Sequence, residues 1–128
     1  MNGEQLGDPG NDGALTGGEL NAAVTREVVR IHTAKLGRGP KKSFSFYNGN
    51  VLVTIMQQVT THAEQNLAGF GEGEAVRELR RLFQGTMTDE LKAAVEAVTR
   101  RRVVALLSDN HIEPDLAVQV FILDGDLE

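Results

Sequence analysis

The stretch Ser43–Ile55, "SFSFYNGNVLVTI", decides how the rest of the chain is arranged. Asn48-Gly49 is a preferred pair for a two-residue type I′ turn, because both central positions of that turn need positive φ. So placed, the turn pairs Tyr47 with Asn50, Phe46 with Val51 and Phe44 with Val53. The strand period of two then gathers Phe44, Phe46, Val51 and Val53 on one face, expected to be the core. Ser43, Ser45, Leu52, Thr54 and Met56 share the other, a mixed face.

Working outward, "GRGPKK" precedes the hairpin and a helical pattern precedes that. Thr16-x-x-Glu19 reads as a capping box, and Leu20, Val24, Val28 and Ile31 recur on one helical face with Ala23 beside them. Gly37 is placed to supply the left-handed cap after Leu36. The fifteen residues before Thr16, "MNGEQLGDPGNDGAL", are rich in Gly, Asp and Asn without apolar period. They read as a disordered polar tail over 1–15, with a single domain over 16–128.

Downstream, Thr61-x-x-Glu64 is a second capping box opening a short helix that Gly69 closes. The linker "GFGEGE" leads to a long helical pattern, roughly 74–98, striped by Val76, Leu79, Phe83, Met87, Leu91, Ala94 or Val95, and Val98. Gly85 interrupts it, so one kinked helix and two helices both fit. "RVVALLS" and "DLAVQVFIL" read as two further strands, apolar on both faces. The order α-ββ-αα-ββ predicts an α+β fold: an antiparallel four-stranded sheet of two hairpins with helices packed on one face. The opposite face, bearing Leu52, Met56, Phe121 and Leu123, then calls for a cover: a homodimer or higher closed assembly through that face or an exposed sheet edge is expected, and a single chain whose long first helix crosses to that side is the alternative.

Composition narrows the function classes. The chain has 128 residues, 41% hydrophobic and 24% charged, with no cysteine, which removes disulfides, thiolate metal sites and thiol nucleophiles. A net charge of −5 argues against nucleic-acid binding through phosphate neutralisation. No apolar run reaches the roughly 20 residues that span a bilayer. No basic start leads into an apolar core as in a secretory signal. A cytoplasmic chain without membrane insertion is the expectation.

Candidate site residues come from the loops and from one basic helix face. Arg38, held between two glycines, is a candidate contact for a carboxylate or phosphate. The loop itself follows a helix and precedes a strand, the reverse of a phosphate loop. Arg77, Arg80 and Arg81 share a helix surface; a solvated charged face is the simpler reading, and Arg77 and Arg81 are retained as anion-binding candidates. Arg100, Arg101 and Arg102 add a second basic run. "SDNHIEPD", Ser108–Asp115, supplies Asp109, Asn110, His111 and Asp115. It lacks the glycine and terminal glutamate of a calcium loop, and His32, His62 and His111 are scattered, so no metal site is expected. Asp109 and His111 form an alternative acid–base pair, with Arg38 as substrate contact, if the chain is a small enzyme. An Asx-type turn is the structural reading of the same residues. No particular cofactor or catalytic residue is indicated.

The helix closed by G-R-G-P, the N-x-N hairpin, T-x-x-E, "VRELRRLFQ" and "VVALLSDNHIEPDLAVQVFIL" together resemble the MpsC family, formerly a domain of unknown function. That family is described as a component of a sodium-translocating, membrane-potential-generating system. The resemblance covers Glu19 to Leu123 and implies a compact α+β domain with an accessory or regulatory role beside a membrane transporter. It brings no agreed site residues. Such chains usually carry a glycine before the penultimate strand, where this one has Arg100, which puts a left-handed turn there in question.

Overall fold

The computed structural model describes residues 15–128. The expected polar tail therefore lies, apart from Leu15, outside the described residues. Helix α1 spans Gly17–Leu36, strands β1 and β2 span Lys42–Asn48 and Val51–Gln57, and helices α2 and α3 span His62–Gly69 and Gly73–Thr99. Strands β3 (Val103–His111) and β4 (Leu116–Leu123) complete one antiparallel sheet of order β1-β2-β4-β3. The helices lie on one face of it, as the α-ββ-αα-ββ order predicts.

The turn is displaced from its expected place. Asn48 pairs with Val51 and Phe46 with Val53, so Gly49-Asn50 is the two-residue connection. Only Gly49 has positive φ, 62°, the requirement of a type II′ rather than a type I′ turn. The register moves by two residues, which preserves the grouping of side chains by face.

Which face is the core is the opposite of the expectation. Phe44 and Phe46 are 40% and 47% exposed, whereas Leu52, Thr54 and Met56 are fully buried beneath the helices. The reason lies in β4: Ala117, Gln119, Phe121 and Leu123 are buried on the helix side, and the ladder aligns Leu52 with Phe121 and Met56 with Ala117. Phe121 and Leu52 meet Leu20, Val24, Val28 and Ile31 of α1 and Met87, Leu91 and Val95 of α3 in one core cluster.

α3 is one continuous helix through Gly85. Its buried stripe runs Val76, Arg80, Met87, Leu91, Val95 and Thr99, while Leu79 is 39% exposed. The box expected at Thr16 does not form, since Thr16 makes no side-chain cap, but Thr61 and Glu64 form theirs in both directions. Arg100 takes the left-handed turn without a glycine, at φ 59°, and its N–H reaches the carbonyl of Glu96. At the far end of the hairpin, Leu127 is buried and donates its N–H to the Gly49 carbonyl at 2.9 Å.

A polar row crosses the helix side of the sheet, made of Ser45, Thr54, Gln119 and Ser108 on neighbouring strands. Thr25 of α1 lies 2.6 Å from Ser45 Oγ, which lies 2.8 Å from Thr54 Oγ1. Gln84 of α3 and Gln119 exchange two amide hydrogen bonds at 2.8 and 3.2 Å, and Ser108 donates to Gln119. α1 and α3 are thus each tied to the sheet by hydrogen bonds inside an apolar contact. Ser45→Ala strands the buried Thr54 hydroxyl and is expected to cost about 1–3 kcal/mol. The Ser45→Ala/Thr54→Val double variant should cost less than the sum of the two single changes, which urea unfolding of all four proteins will measure.

Candidate functional site

"SDNH" proves to be the end of a strand. Because β3 continues to His111, its residues alternate: Ser108 and Asn110 lie on the helix side, Asp109 and His111 on the outer side. Only the four residues between His111 and Leu116 form the turn. The alternation divides the sequence candidates between two surfaces.

Four of them make local fastenings. Arg38 donates from Nη1 to the Thr60 carbonyl at 2.7 Å, and the Asp115 carboxylate accepts the Thr60 N–H at 2.9 Å. The GRGP loop and the turn after β3 therefore converge, but on Thr60, which they hold from both sides. His111 bonds through Nδ1 to the Pro114 carbonyl at 2.8 Å. A carbonyl only accepts, so Nδ1 carries the proton in that bond. Asp109 accepts the Asn110 N–H at 2.8 Å, the local turn-type bond expected of an aspartate. His111 and Asp109 share no hydrogen bond with each other, and each bonds its own local backbone.

The other candidates do meet. Arg77, Arg81, Gln84, Ser108, Asp109 and Asn110 line a cleft of about 380 Å³ between α3 and the end of β3. An adjoining hollow of about 270 Å³ shares Arg77, Asp109 and Asn110 and adds His111. Arg77 lies 3.9 Å from Glu74, and Arg81 bonds Glu78, both on the same helix and exposed to solvent. Such pairs are weak and exchange readily for a better anion. Among the described residues no group of histidines and carboxylates is arranged to hold a metal ion.

Beneath the cleft sits a cluster that sequence reading missed. Arg80, expected on a solvated face, is 4% exposed and grips Glu64 through two hydrogen bonds of 2.6 and 2.8 Å. Its Nη1 donates to Asn110 Oδ1 at 3.0 Å, so one guanidinium joins α2, α3 and β3. Two signals were present: Arg80 follows Val76 by four residues, hence on the buried stripe, and the Thr61 box fixes where Glu64 points. Burial raises the Glu64 pKa, but the Arg80 bonds and the Thr61 N–H outweigh it and leave the carboxyl below its usual range.

His32 of α1 faces the same pair, 3% exposed, with Nδ1 buried and unpartnered. Burial first, then the Arg80 charge, lower its pKa from 6.5 to about 4, against the pull of Glu64.

The geometry defines an α+β domain with an arginine-lined cleft above a buried ion pair. The chain belongs to the family described as MpsC, Na+-translocating membrane potential-generating system, whose pattern it matches over residues 16–125. It is 24% identical over 103 residues to the uncharacterized protein YrhF of Bacillus subtilis (strain 168), covering 79% of this chain and 84% of that protein. No solved structure matches the chain. No described helix is long and apolar enough to cross a membrane.

Arg80→Met leaves the Glu64 carboxylate buried without its partner and is expected to cost about 3–5 kcal/mol, with the Glu64→Leu/Arg80→Met double variant recovering much of that loss in chemical unfolding. His32 adds a pH dependence. The unfolded chain takes up its proton near pH 6.5 and the folded chain only near 4, so this contribution is complete above 6.5 and is lost as pH falls toward 4. The loss is roughly 3 kcal/mol, and His32→Gln should unfold with a flatter profile over that window than the native chain.

Proposed function

We propose that this chain is a non-enzymatic accessory module of the MpsC type. It acts in the cytoplasm as a regulatory dimer beside a membrane transporter and takes a small anion in the arginine cleft. The observation that carries the reading is the convergence of Arg77 and Arg81 on Ser108 and Asn110. Two exposed guanidiniums offer bidentate hydrogen bonds to a carboxylate or phosphate, and the hydroxyl and amide supply neutral partners for its remaining oxygens. Asn110 is held by Arg80, which leaves its NH2 group to donate. Arg38 and Asp115 are engaged with Thr60 and play a structural part.

The family's description supports the transporter partner, since a chain without a spanning helix among its described residues contributes to a membrane system by contact. Self-association is supported by the exposed aromatics of the outer sheet face.

Calorimetric titration with phosphate, bicarbonate and short carboxylates tests the anion site. A binding anion at 100 times its dissociation constant should add about 2.7 kcal/mol to stability. The Arg77→Gln/Arg81→Gln variant should bind about 10- to 100-fold more weakly. Binding that this double variant leaves untouched overturns the cleft as its seat, and silence with every anion overturns the reading.

A further inference from the structure

The sheet face turned away from the helices is apolar across all four strands. Its rows run Phe44–Ile55–Val118–Asp109 and Phe46–Val53–Val120–Leu107, and the next contains Val51, Ile122 and Ala105. Leu107 is 57% exposed, and the Phe44 and Phe46 rings stack at 6.3 Å along the β1 edge. No described helix covers this face.

We propose that it closes on a second copy of the chain, forming a sandwich of two four-stranded sheets about a two-fold axis parallel to the strands. In that arrangement Lys42 of each copy meets Asp109 of the other. The proposal rests on the self-association reading above and adds the face, the axis and the contacts.

Area comes first. Four strands about 4.8 Å apart, each about seven residues at 3.3–3.4 Å, present roughly 450 Å² in projection per copy. Two copies contribute roughly 900 Å² before side-chain relief is counted, and specific interfaces begin near 1,200 Å² of accessible surface. Accessible surface exceeds projected area wherever side chains stand out from the sheet, which brings the face toward that threshold, and it is too apolar to be idle.

Shape and charge choose the axis. The order β1-β2-β4-β3 puts the two phenylalanines at one edge and Ala105 with Leu107 at the other. A two-fold axis parallel to the strands lays the β1 edge of one copy over the β3 edge of its partner, so bulky side chains meet smaller ones. The same operation brings Lys42, which shares a row with His111, over the partner's His111. The partner's Asp109 is then one row away, about 7 Å along the strand, within reach of a lysine. An axis across the strands instead stacks aromatic edge on aromatic edge and sets Lys42 over Asn48, giving the ammonium no carboxylate. Lys42 and Asp109 are both exposed in the single chain, so neither is already committed to the core.

Sedimentation equilibrium across micromolar concentrations tests this, with circular dichroism to verify folding of each variant. The native chain should show twice the single-chain mass. Phe46→Asp should give single chains, and Lys42→Asp and Asp109→Lys should each weaken association about tenfold, with the Lys42→Asp/Asp109→Lys double variant restoring it. A single-chain mass for the native protein at every concentration overturns the self-association reading itself and leaves the face to a different protein. A dimer indifferent to Phe46→Asp overturns the face while leaving self-association intact. A dimer that needs Phe46 but is not rescued by the charge exchange overturns the axis.

Discussion

The ion pair between Arg80 and Glu64 fixes the end of the molecule on which the candidate chemistry stands. α2 has eight residues, fewer than an isolated helix needs to hold its shape in water. It is kept by the Thr61 box at its start and by the Arg80 guanidinium at Glu64. The same guanidinium reaches Asn110 on β3. A buried charge pair with this many satisfied bonds is tolerable because each carboxylate oxygen finds a donor: Oε2 the Arg80 Nε–H, and Oε1 both Arg80 and Thr61. The neutral His32 beside it follows first from its burial and then from the Arg80 charge, which no water screens there.

The fold was legible in the sequence because its signals are local. Asn-Gly beside alternating apolar residues gives a hairpin, the α1 stripe of Leu20, Val24, Val28 and Ile31 gives an amphipathic helix, and both hold in the structure. Which side of the sheet receives the helices is not local. Phe44 and Phe46 look like core by size, yet their rows lead to Asp109 and Leu107, whereas on the opposite face the Tyr47–Leu52 row leads to Phe121 and Leu106. Inward placement of Ser45 is made tolerable by hydroxyl partners from α1 and β2, contacts between residues 20 and nine positions apart that no periodicity encodes.

The candidate site was legible in part for a related reason. Arg77, Arg81, Asp109 and Asn110 do gather at one cleft, but Arg38 and Asp115 are spent on Thr60. A glycine-flanked arginine and a loop aspartate are as well suited to gripping backbone as to gripping a ligand. Only the position of a third segment, β2 running into α2, decides which they do. Reading "SDNHIEPD" as a loop hid a further point: as strand, its residues divide by parity, and Asp109 and His111 face away from Asn110 and Ser108.

That parity places two surfaces on either side of one strand end. The cleft draws on Ser108 and Asn110, and Asp109, on the outer side of the strand, lines its rim and begins the outer face. Neither resembles a device for entering lipid. A chain of net charge −5 is repelled by an anionic leaflet, at a cost that grows with each uncompensated carboxylate. The exposed apolar residues form a flat sheet rather than the amphipathic helix that lies in a membrane interface. A flat apolar sheet is instead complementary to another such sheet, at the roughly 10 Å spacing of stacked β-layers. Contact between protein surfaces, rather than entry into lipid, is therefore what the chain's charge and shape favour.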